Sequence, residues 1–259
     1  MENWVTHILN LPPDVAAHGP ALDDLLLYVH VLMFVLFIGW SGFFLYTLWR
    51  FRQTRRPKAD PVGVRSGFSN YVEGGVALVE AVLLIGFAVP LWARGAAANN
   101  FPEEKDATVI RVIGKQFTWT ARYPGPDGVF GRAEERLASS ENPMGLDPND
   151  PHGKDDIFVD NGELYVPVNK PVIAHISSLD VIHCFAVKPM RITQDAIPGL
   201  SIPVWFKPVL VGTYQINCAQ LCGNGHFSMR GLLHVVSQED YAAWLKKKSA
   251  AGANTGSYE

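Results

Sequence analysis

Two long apolar runs near the N-terminus stand out in the pattern of hydrophobic and polar positions. Leu25 to Trp49 contains no charged residue, and Val76 to Trp92 contains only Glu80. A helix needs roughly 20 apolar residues to cross the hydrocarbon core of a bilayer. The pattern therefore predicts a transmembrane helical hairpin over residues 25–95, with spans at about 25–49 and 74–93.

The charges around these spans predict their orientation. The loop at 50–73 has a basic stretch in which Asp60 is outnumbered by Arg50, Arg52, Arg55, Arg56, Lys58 and Arg65. Because basic loops stay on the cytoplasmic side, we expect residues 1–24 and everything after about residue 95 in the periplasm of a bacterium, anchored in its inner membrane lipid. A cleaved signal peptide is disfavoured, since the first run is too long for one.

After the hairpin, the pattern changes to that of β-strands. Phe117, Trp119, Ala121 and Tyr123 alternate with polar residues, which predicts a half-buried strand. Further β-branched runs are Leu164–Val168, Val172–Ile176, Val181–Val187, Val204–Ile216 and Leu232–Val236. Turn residues separate them, so we expect an all-β sandwich over residues 105–248.

Two other segments interrupt or close this domain. Residues 124–160 are rich in Gly, Pro, Asp and Asn and predict a long surface insertion. Ser237 is a suitable N-cap for a closing helix that contains Trp244. Residues 249–259 predict a flexible tail.

Charge and cysteine content exclude two classes of function. The 259 residues carry a formal net charge of -3 with a pI near 6.2, so there is no basic surface that indicates a nucleic-acid partner. The three cysteines are an odd number, and two of them are four apart beside a histidine. This pattern argues against a disulfide framework and indicates that the cysteines are ligands or free thiols.

One short segment concentrates soft metal ligands. Cys218, Cys222, His226 and Met229 follow each other at gaps of four, four and three residues, and His183 lies on a predicted strand 35 residues before Cys218. Thiolates and thioethers select copper, zinc or iron-sulfur centres, and methionine is not a usual zinc ligand. Two bridging thiolates with one imidazole per metal favour a copper pair, although buried core residues or a Cys2His2 zinc site remain alternatives.

These motifs resemble a known family. CAQLCGNGHFSM, with DVIHCFAV, GKQFTW and the DAIPG at Asp195–Gly199, is similar to subunit II of the haem-copper cytochrome c oxidases, from about residue 25 to 248. The resemblance implies a cupredoxin-like fold with a dinuclear CuA copper centre. The implied ligands are His183, Cys218, Cys222, His226, Met229 and the main-chain carbonyl of Gln220.

The resemblance also implies a role and a set of partners. In that family the copper centre accepts electrons from cytochrome c and passes them to haem in subunit I, where oxygen reduction is coupled to proton pumping. The expected partners are therefore oxidase subunit I, other oxidase subunits, and cytochrome c or a docked cytochrome-containing complex. Separately, the acidic residues at 147–163 together with Asp180 predict a docking surface for a basic redox partner, with a solvated loop that has no partner as the alternative.

Several positions depart from the family pattern. The family usually has Glu where this chain has Gln220, and its carboxylate binds magnesium at the subunit I border. An amide is a weaker ligand for a hard cation, so the sequence argues against magnesium. Where the family has a Trp that receives electrons, this chain has Phe117. Phe117 is therefore either a core residue or the electron acceptor, with Trp119 or Tyr123 as the other candidates.

Two further residues have less direct predictions. Glu73 matches the family's carboxylate at the mouth of a proton-uptake path, with an interfacial residue that sets helix depth as the alternative. Cys184 follows His183, and neighbours on a strand point to opposite faces. We therefore expect Cys184 to be a buried thiol that does not bind the copper.

Three other functions were weighed against this one. A membrane-anchored copper-delivery protein would hold the metal loosely and release it. A quinol-oxidase subunit would lack Cys218 and Cys222. A structural zinc module would have a similar Cys and His set without a redox role.

Overall fold

The computed structural model describes residues 7–58, 61–63, 66–96, 100–137, 142 and 144–252. The predictions for the N-terminal segment 1–24, the loop at 50–73, the insertion at 124–160 and the tail at 249–259 lie partly outside these residues. The chain forms two compact units, Ala21–Arg94 and Met1–Pro20 with Gly95–Glu259.

The first unit is helical and apolar on its surface. Helix α1 spans Gly19–Phe51; α2, Phe68–Ala81, continues through a π-helical stretch, Val82–Ala88, into α3, Val89–Ala96. Gly19–Phe51 and Phe68–Arg94 are long and apolar enough to cross a membrane. Their apolar side chains remain largely exposed within the unit. This is expected of helices that face lipid or other subunits, not of helices in a soluble core.

The second unit is a sandwich of two sheets, each with five strands. One sheet has the order β3-β2-β1-β5-β8 and the other β4-β10-β9-β6-β7. The strands are β1 Thr108–Lys115, β2 Thr118–Tyr123, β3 Ile157–Val159, β4 Glu163–Pro167, β5 Val172–Ser178, β6 His183–Val187, β7 Ile192–Ala196, β8 Ile202–Phe206, β9 Gly212–Cys218 and β10 Arg230–Val236. Helix α4, Gln238–Gly252, follows. The predicted all-β sandwich after two apolar helices is confirmed.

The core between the sheets follows from alternating side chains. Along β1, buried and partly buried residues alternate, so that Ile110 and Val112 point inward. Leu164, Phe185 and Leu233 meet them from the opposite sheet and are also fully or almost fully buried. Each such side chain contributes roughly 1.5–3 kcal/mol by leaving water. This core makes the sandwich a rigid base for the loops at its ends.

The closing helix begins at the predicted cap. The Ser237 hydroxyl accepts a hydrogen bond from the Asp240 N–H at 3.0 Å, which satisfies one free donor of the first turn. Trp244 on this helix stacks on Tyr165 of β4, with ring centroids 4.6 Å apart. The cap and the stacking together attach α4 to the edge of the second sheet.

The sequence pattern predicted one strand for the long run at 204–216, but the structure divides this run between two strands. Its first residues lie in β8 of one sheet, and Gly212 onwards lies in β9 of the other. Pro208 lies between them, where it forms an isolated bridge with Ala16. Proline lacks the N–H that a continuous ladder needs, so the chain leaves one sheet there and enters the other.

Strand β2 is buried on both faces, which contradicts the predicted half-buried strand. Thr120 and Arg122, which alternate with the apolar residues, are buried as well. The insertion covers this outer face: the Arg122 guanidinium is paired with the Asp156 carboxylate and donates to the Gly131 carbonyl at 2.7 Å. The alternation of apolar and polar residues did not predict this burial, because the insertion, a segment distant in the sequence, covers the outer face of β2.

We expect Asp156→Asn to destabilise the sandwich by about 3 kcal/mol, because it leaves the buried Arg122 charge without its counter-charge. Chemical unfolding of the detergent-solubilised chain, followed by tryptophan fluorescence, measures this. The double variant Arg122→Met with Asp156→Leu should recover most of the loss. A double variant no more stable than Asp156→Asn would contradict the ion-pair explanation.

The segment before α1 is part of the sandwich. The Val15 N–H donates to Pro189 O at 3.0 Å, and Val15 O accepts from the Val209 N–H at 2.9 Å. The Ala17 N–H donates to Lys207 O at 3.0 Å. Val15 is 1% exposed and belongs to the hydrophobic core. The sequence did not predict this contact, because it joins residues almost 200 positions apart in the chain.

Val15→Ala should lower the free energy of unfolding of the sandwich by about 2 kcal/mol, since it removes buried methyl groups and leaves a cavity. Denaturant midpoints of the full chain report the change. Val209→Ala is the matched control: it removes the same atoms from a residue that is 40% exposed, and should cost less than about 0.5 kcal/mol. Equal losses would show that burial of the Val15 side chain contributes no more to stability than the exposed Val209 side chain does.

Candidate metal centre

Strand pairing gathers the predicted ligands at one end of the second sheet. His183 is the first residue of β6 and Cys218 the last of β9, and the two strands pair antiparallel with Phe185 opposite Cys218. Cys222 and His226 lie in the following loop, and Met229 immediately precedes β10. The imidazole that is distant in the sequence therefore lies beside the cysteine segment.

Each potential donor atom lies within 3.9 Å of at least one cysteine sulfur. The two sulfurs of Cys218 and Cys222 are 3.8 Å apart. His183 Nδ1 is 3.9 Å from Cys218 Sγ, and His226 Nδ1 is 3.6 Å from Cys222 Sγ. Met229 Sδ is 3.7 Å from Cys222 Sγ. The carbonyl oxygen of Gln220 is 3.1 Å from Cys218 Sγ. The structure thus brings together all six residues that the family resemblance implied.

These distances suit metal binding by both thiolates. A metal–sulfur bond is about 2.3 Å in zinc sites, so two sulfurs 3.8 Å apart can both reach one ion. In the described part of the chain, one group of His, Cys, Asp and Glu has its ligand atoms within 4.8 Å of one another: His183, Cys218 and Cys222. His226 is next to Cys222 but outside this group. Each of the two sulfurs thus has one imidazole beside it.

The chemistry of the donors indicates which metal fits. Met229 is buried and its thioether is among the donors. Thioether sulfur is a soft ligand that suits copper and is uncommon in zinc sites. No carboxylate belongs to the group found in the described residues, so the arrangement is a poor one for a hard cation. The donor set therefore fits copper.

Asp180 orients His183 from the side opposite the sulfurs. Its Oδ1 accepts a hydrogen bond from His183 Nε2 at 2.8 Å, and its Oδ2 accepts one from the Gln116 N–H at 2.7 Å. A carboxylate only accepts, so the proton of His183 lies on Nε2 and the Nδ1 lone pair faces the sulfurs. Burial raises the pKa of Asp180, but these hydrogen bonds outweigh it and hold the pKa below its usual value.

The sequence predicted Asp180 as a docking acid and missed this contact with the ligand. A signal was present, because the motif Asp-Val-Ile-His places the carboxylate three residues before the imidazole. In a tight turn before a strand, this spacing brings the two side chains together. Metal-bound histidines commonly donate their second N–H to a carboxylate.

Two buried thiols, Cys222 within the candidate centre and Cys184 outside it, differ in what surrounds them. Burial, followed by the contact with Cys218, raises the pKa of Cys222 to about 11. Metal binding must therefore displace its proton. Burial, followed by the hydrogen bond with Asp195, raises the pKa of Cys184 to about 12. Cys184 is a buried thiol outside the ligand group, as expected from its position on β6.

The aromatic residues proposed for electron transfer lie in different environments. Phe117 is 37% exposed, and its ring covers the ligand segment, where a Cβ on Gly225 would lie 2.4 Å from the ring. Trp119 is fully buried, with its ring centroid 6.0 Å from that of His183. Tyr123 is also fully buried, and its hydroxyl donates to Tyr165 O at 3.1 Å. Of the three, Phe117 has surface that an external donor can touch.

Exposed apolar residues surround the centre. Leu221 is 77% and Phe227 is 90% exposed, and both lie next to predicted ligands in the sequence. Val181 and Ile182, just before His183, are also exposed. Large apolar side chains grouped in this way are typical of protein interaction surfaces. Sequence reasoning did not single them out, because apolar residues are also what a core requires.

Glu73 lies in the other unit, on α2, and is exposed there. It therefore belongs to the helical hairpin and not to the metal centre. Glu80, about two helical turns further along the same face, lines a cleft of about 310 Å³ between the two helices with Leu32 and Leu84.

We expect Asp180→Ala to weaken metal binding by about 10- to 100-fold, because His183 loses the partner that orients it. Competition between the full chain and a chelator of known copper affinity measures the change. Asp160→Ala removes an exposed carboxylate outside the centre and should leave the affinity unchanged. If the two variants bind copper equally, Asp180 does not orient the ligand.

Comparisons with known proteins point to one family. Residues 108–236 match the family described as cytochrome c oxidase subunit II, periplasmic domain. Subunit 2 of an alternative cytochrome c oxidase from Bradyrhizobium diazoefficiens is 41% identical over 151 residues, which cover 58% of this chain and 54% of that protein. Cytochrome c oxidase subunit 2 of Cereibacter sphaeroides is 30% identical over 229 residues, which cover 83% of this chain and 70% of that protein.

Solved structures include a similar domain. The periplasmic domain of subunit II of the cytochrome oxidase (CoxB) of Bradyrhizobium japonicum is 29% identical to this chain, with a TM-score of 0.42. The match covers 56% of this chain and 96% of that domain.

Proposed function

The chain belongs to the cytochrome c oxidase subunit II family, and we propose that it is the electron-accepting subunit of a respiratory haem-copper oxidase. In this proposal it receives electrons from cytochrome c or a docked cytochrome-containing complex. It passes them to haem in subunit I, where oxygen reduction is coupled to proton pumping.

The observation that carries this proposal is the pair of sulfurs 3.8 Å apart with one imidazole beside each. We assign His183, Cys218, Cys222, His226, Met229 and the carbonyl of Gln220 as ligands of a dinuclear CuA centre. Such a copper pair supplies uptake and release of one electron. Gln220 has no carboxylate to offer a magnesium ion, so magnesium is not part of this proposal.

The protein's own contribution is to keep the ligands in place. His183 is fully buried, packed edge to face against Trp119 and hydrogen-bonded to Asp180. Cys222 and Met229 are buried as well. Ligands held by packing and hydrogen bonds before the electron arrives rearrange little when it does. Small rearrangement is what fast electron transfer requires.

Exposed residues around the centre supply the surfaces for partners. We assign Phe117 as the contact for the electron donor, because it combines exposure with contact to the ligand segment. Trp119, which is buried against His183, belongs to the interior. The apolar residues Leu221 and Phe227 suit contact with another oxidase subunit.

The helical unit completes the proposal. Its two apolar helices would anchor the chain in the bacterial inner membrane, with the copper domain on the periplasmic side. The basic loop at 50–73 would then be cytoplasmic. Glu73 is the last residue of this predicted loop and lies on α2, and we assign it to proton uptake towards subunit I. Its exposed position on the helical unit leaves it accessible to a neighbouring subunit.

Electron paramagnetic resonance of the copper-loaded full chain tests the proposal. We expect hyperfine structure from one unpaired electron shared equally between two copper nuclei. Cys218→Ser should abolish this signal, because it removes a bridging thiolate. Cys184→Ser, which changes a buried thiol outside the ligand group, should preserve it.

Other results would support other functions. A signal from a single localised copper, released readily to a chelator, would favour copper delivery. Zinc retained in preference to copper would favour a structural module. Either result would overturn the electron-transfer proposal.

A further inference from the structure

The segment that carries three of the six proposed ligands, Gln220, Cys222 and His226, has few attachments to the rest of the chain. We call Ala219 to Ser228 the ligand loop; its one regular element is a single 3-10 turn at His226–Ser228. Among the described residues, two hydrogen bonds join this loop to chain outside 218–229. The Ala219 N–H donates to Cys184 O at 3.0 Å, and the Gln116 side chain donates to Cys222 O at 2.5 Å.

The second of these bonds holds the middle of the loop. Gln116 lies in the turn between β1 and β2, 106 positions before Cys222. Its amide nitrogen donates to the carbonyl of the residue whose sulfur is a proposed ligand. Its backbone N–H donates to Asp180, which in turn accepts from His183. Gln116 therefore contacts the backbone of Cys222 directly, and it also contacts Asp180, the residue that orients His183.

The backbone of the ligand loop lies so close to Gln116 and Phe117 that a side chain at Gly223 or Gly225 would clash with them. Gly223 has φ +132°, and a Cβ there would lie 2.7 Å from Gln116 Nε2. A Cβ on Gly225 would lie 2.4 Å from the ring of Phe117. Glycine at these two positions lets the turn after β1 pack directly on the loop backbone.

We propose that Gln116 is a positioning residue for the copper centre: its side-chain amide holds Cys222 in register with Cys218, and its backbone holds Asp180 against His183. This inference rests on the proposed copper function but concerns a residue that binds no metal. Its side chain acts on the thiolate through the backbone carbonyl of Cys222.

The expected effect of Gln116 follows from the conformational freedom that the ligand loop would have without it. Without the Gln116 amide, the Cys222 carbonyl loses its partner, and the loop samples conformations in which the two sulfurs are farther apart. Copper binding would then have to order the loop, so affinity would fall. The two copper positions would also cease to be equivalent. Support from outside the ligand set commonly changes metal affinity by about 10- to 100-fold.

Three variants of the full chain in detergent test the inference. Gln116→Leu removes the donor while retaining most of the volume. Gln116→Glu retains the shape but places acceptor oxygens against a carbonyl at neutral pH. Gln194→Leu is the matched control, because the Gln194 amide also donates to a backbone carbonyl, that of Asp195 at 3.2 Å, outside the ligand loop.

Copper affinity by chelator competition and the copper hyperfine pattern are measured on each variant. We expect a loss of affinity of about 10- to 100-fold for Gln116→Leu, and at least as large a loss for Gln116→Glu. Both should show unequal sharing of the unpaired electron. The control should match the wild type in both measurements. Far-ultraviolet circular dichroism of the metal-free chains establishes that all three variants are folded.

The outcomes separate positioning from simple packing. If Gln116→Glu retains wild-type affinity and hyperfine pattern, shape alone matters and the donor role is wrong. If Gln116→Leu equals Gln194→Leu, Gln116 has no positioning role. A wild-type chain with one localised copper would instead count against the proposed function, while the affinity comparison would still decide the role of Gln116.

Discussion

The antiparallel pairing of β6 with β9 is the constraint on which the rest of the centre depends. This pairing places His183, at the start of one strand, beside Cys218, at the end of the other. Without it, the sequence would have two thiols, one imidazole and one thioether in a flexible loop. With it, the second imidazole is held by a strand whose five residues are all buried. The proposed ligands His183 and Cys218 are therefore held by strands of the sandwich.

Two kinds of support converge on these ligands from outside. The ring of Trp119 packs against His183, and Phe185 packs against Trp119 with ring centroids 5.4 Å apart. Asp180 and Gln116 supply directed hydrogen bonds. Packing excludes water and limits motion, whereas the hydrogen bonds select one orientation of each ligand. The residues of the candidate metal centre are therefore held by both packing and directed hydrogen bonds.

The sandwich also depends on segments that lie outside its sheets. The insertion buries Arg122 on the outer face of β2, and the N-terminal segment adds Val15 to the core. Both contacts join parts of the chain that are far apart in the sequence. A domain boundary drawn at the end of the second apolar run would therefore omit residues that the folded domain contains.

The sequence by itself determined the features that depend on local pattern. Runs of apolar residues predicted the two helices, and β-branched runs predicted most strands. The spacing from Cys218 to Met229, with the family motifs, predicted the residues that the structure brings together at the candidate metal centre. Local patterns carry this information because helix length, strand alternation and ligand spacing are properties of short segments. Strands β1, β3 and β7 were missed. Strand β3 has three residues and β7 has several polar positions, whereas the eight residues of β1 have an alternating pattern that could have predicted it.

Only the tertiary structure decided which of these segments meet. It placed Asp180 in hydrogen-bonding contact with His183, and Gln116 in hydrogen-bonding contact with the Cys222 carbonyl. It also left Phe117 exposed and Trp119 buried, and it divided the run at 204–216 between the two sheets. These outcomes depend on strand order, on covering segments and on close backbone approach at glycine. Such contacts form between residues distant in the chain, and their energies appear only when the sheets pack, so no local pattern specifies them.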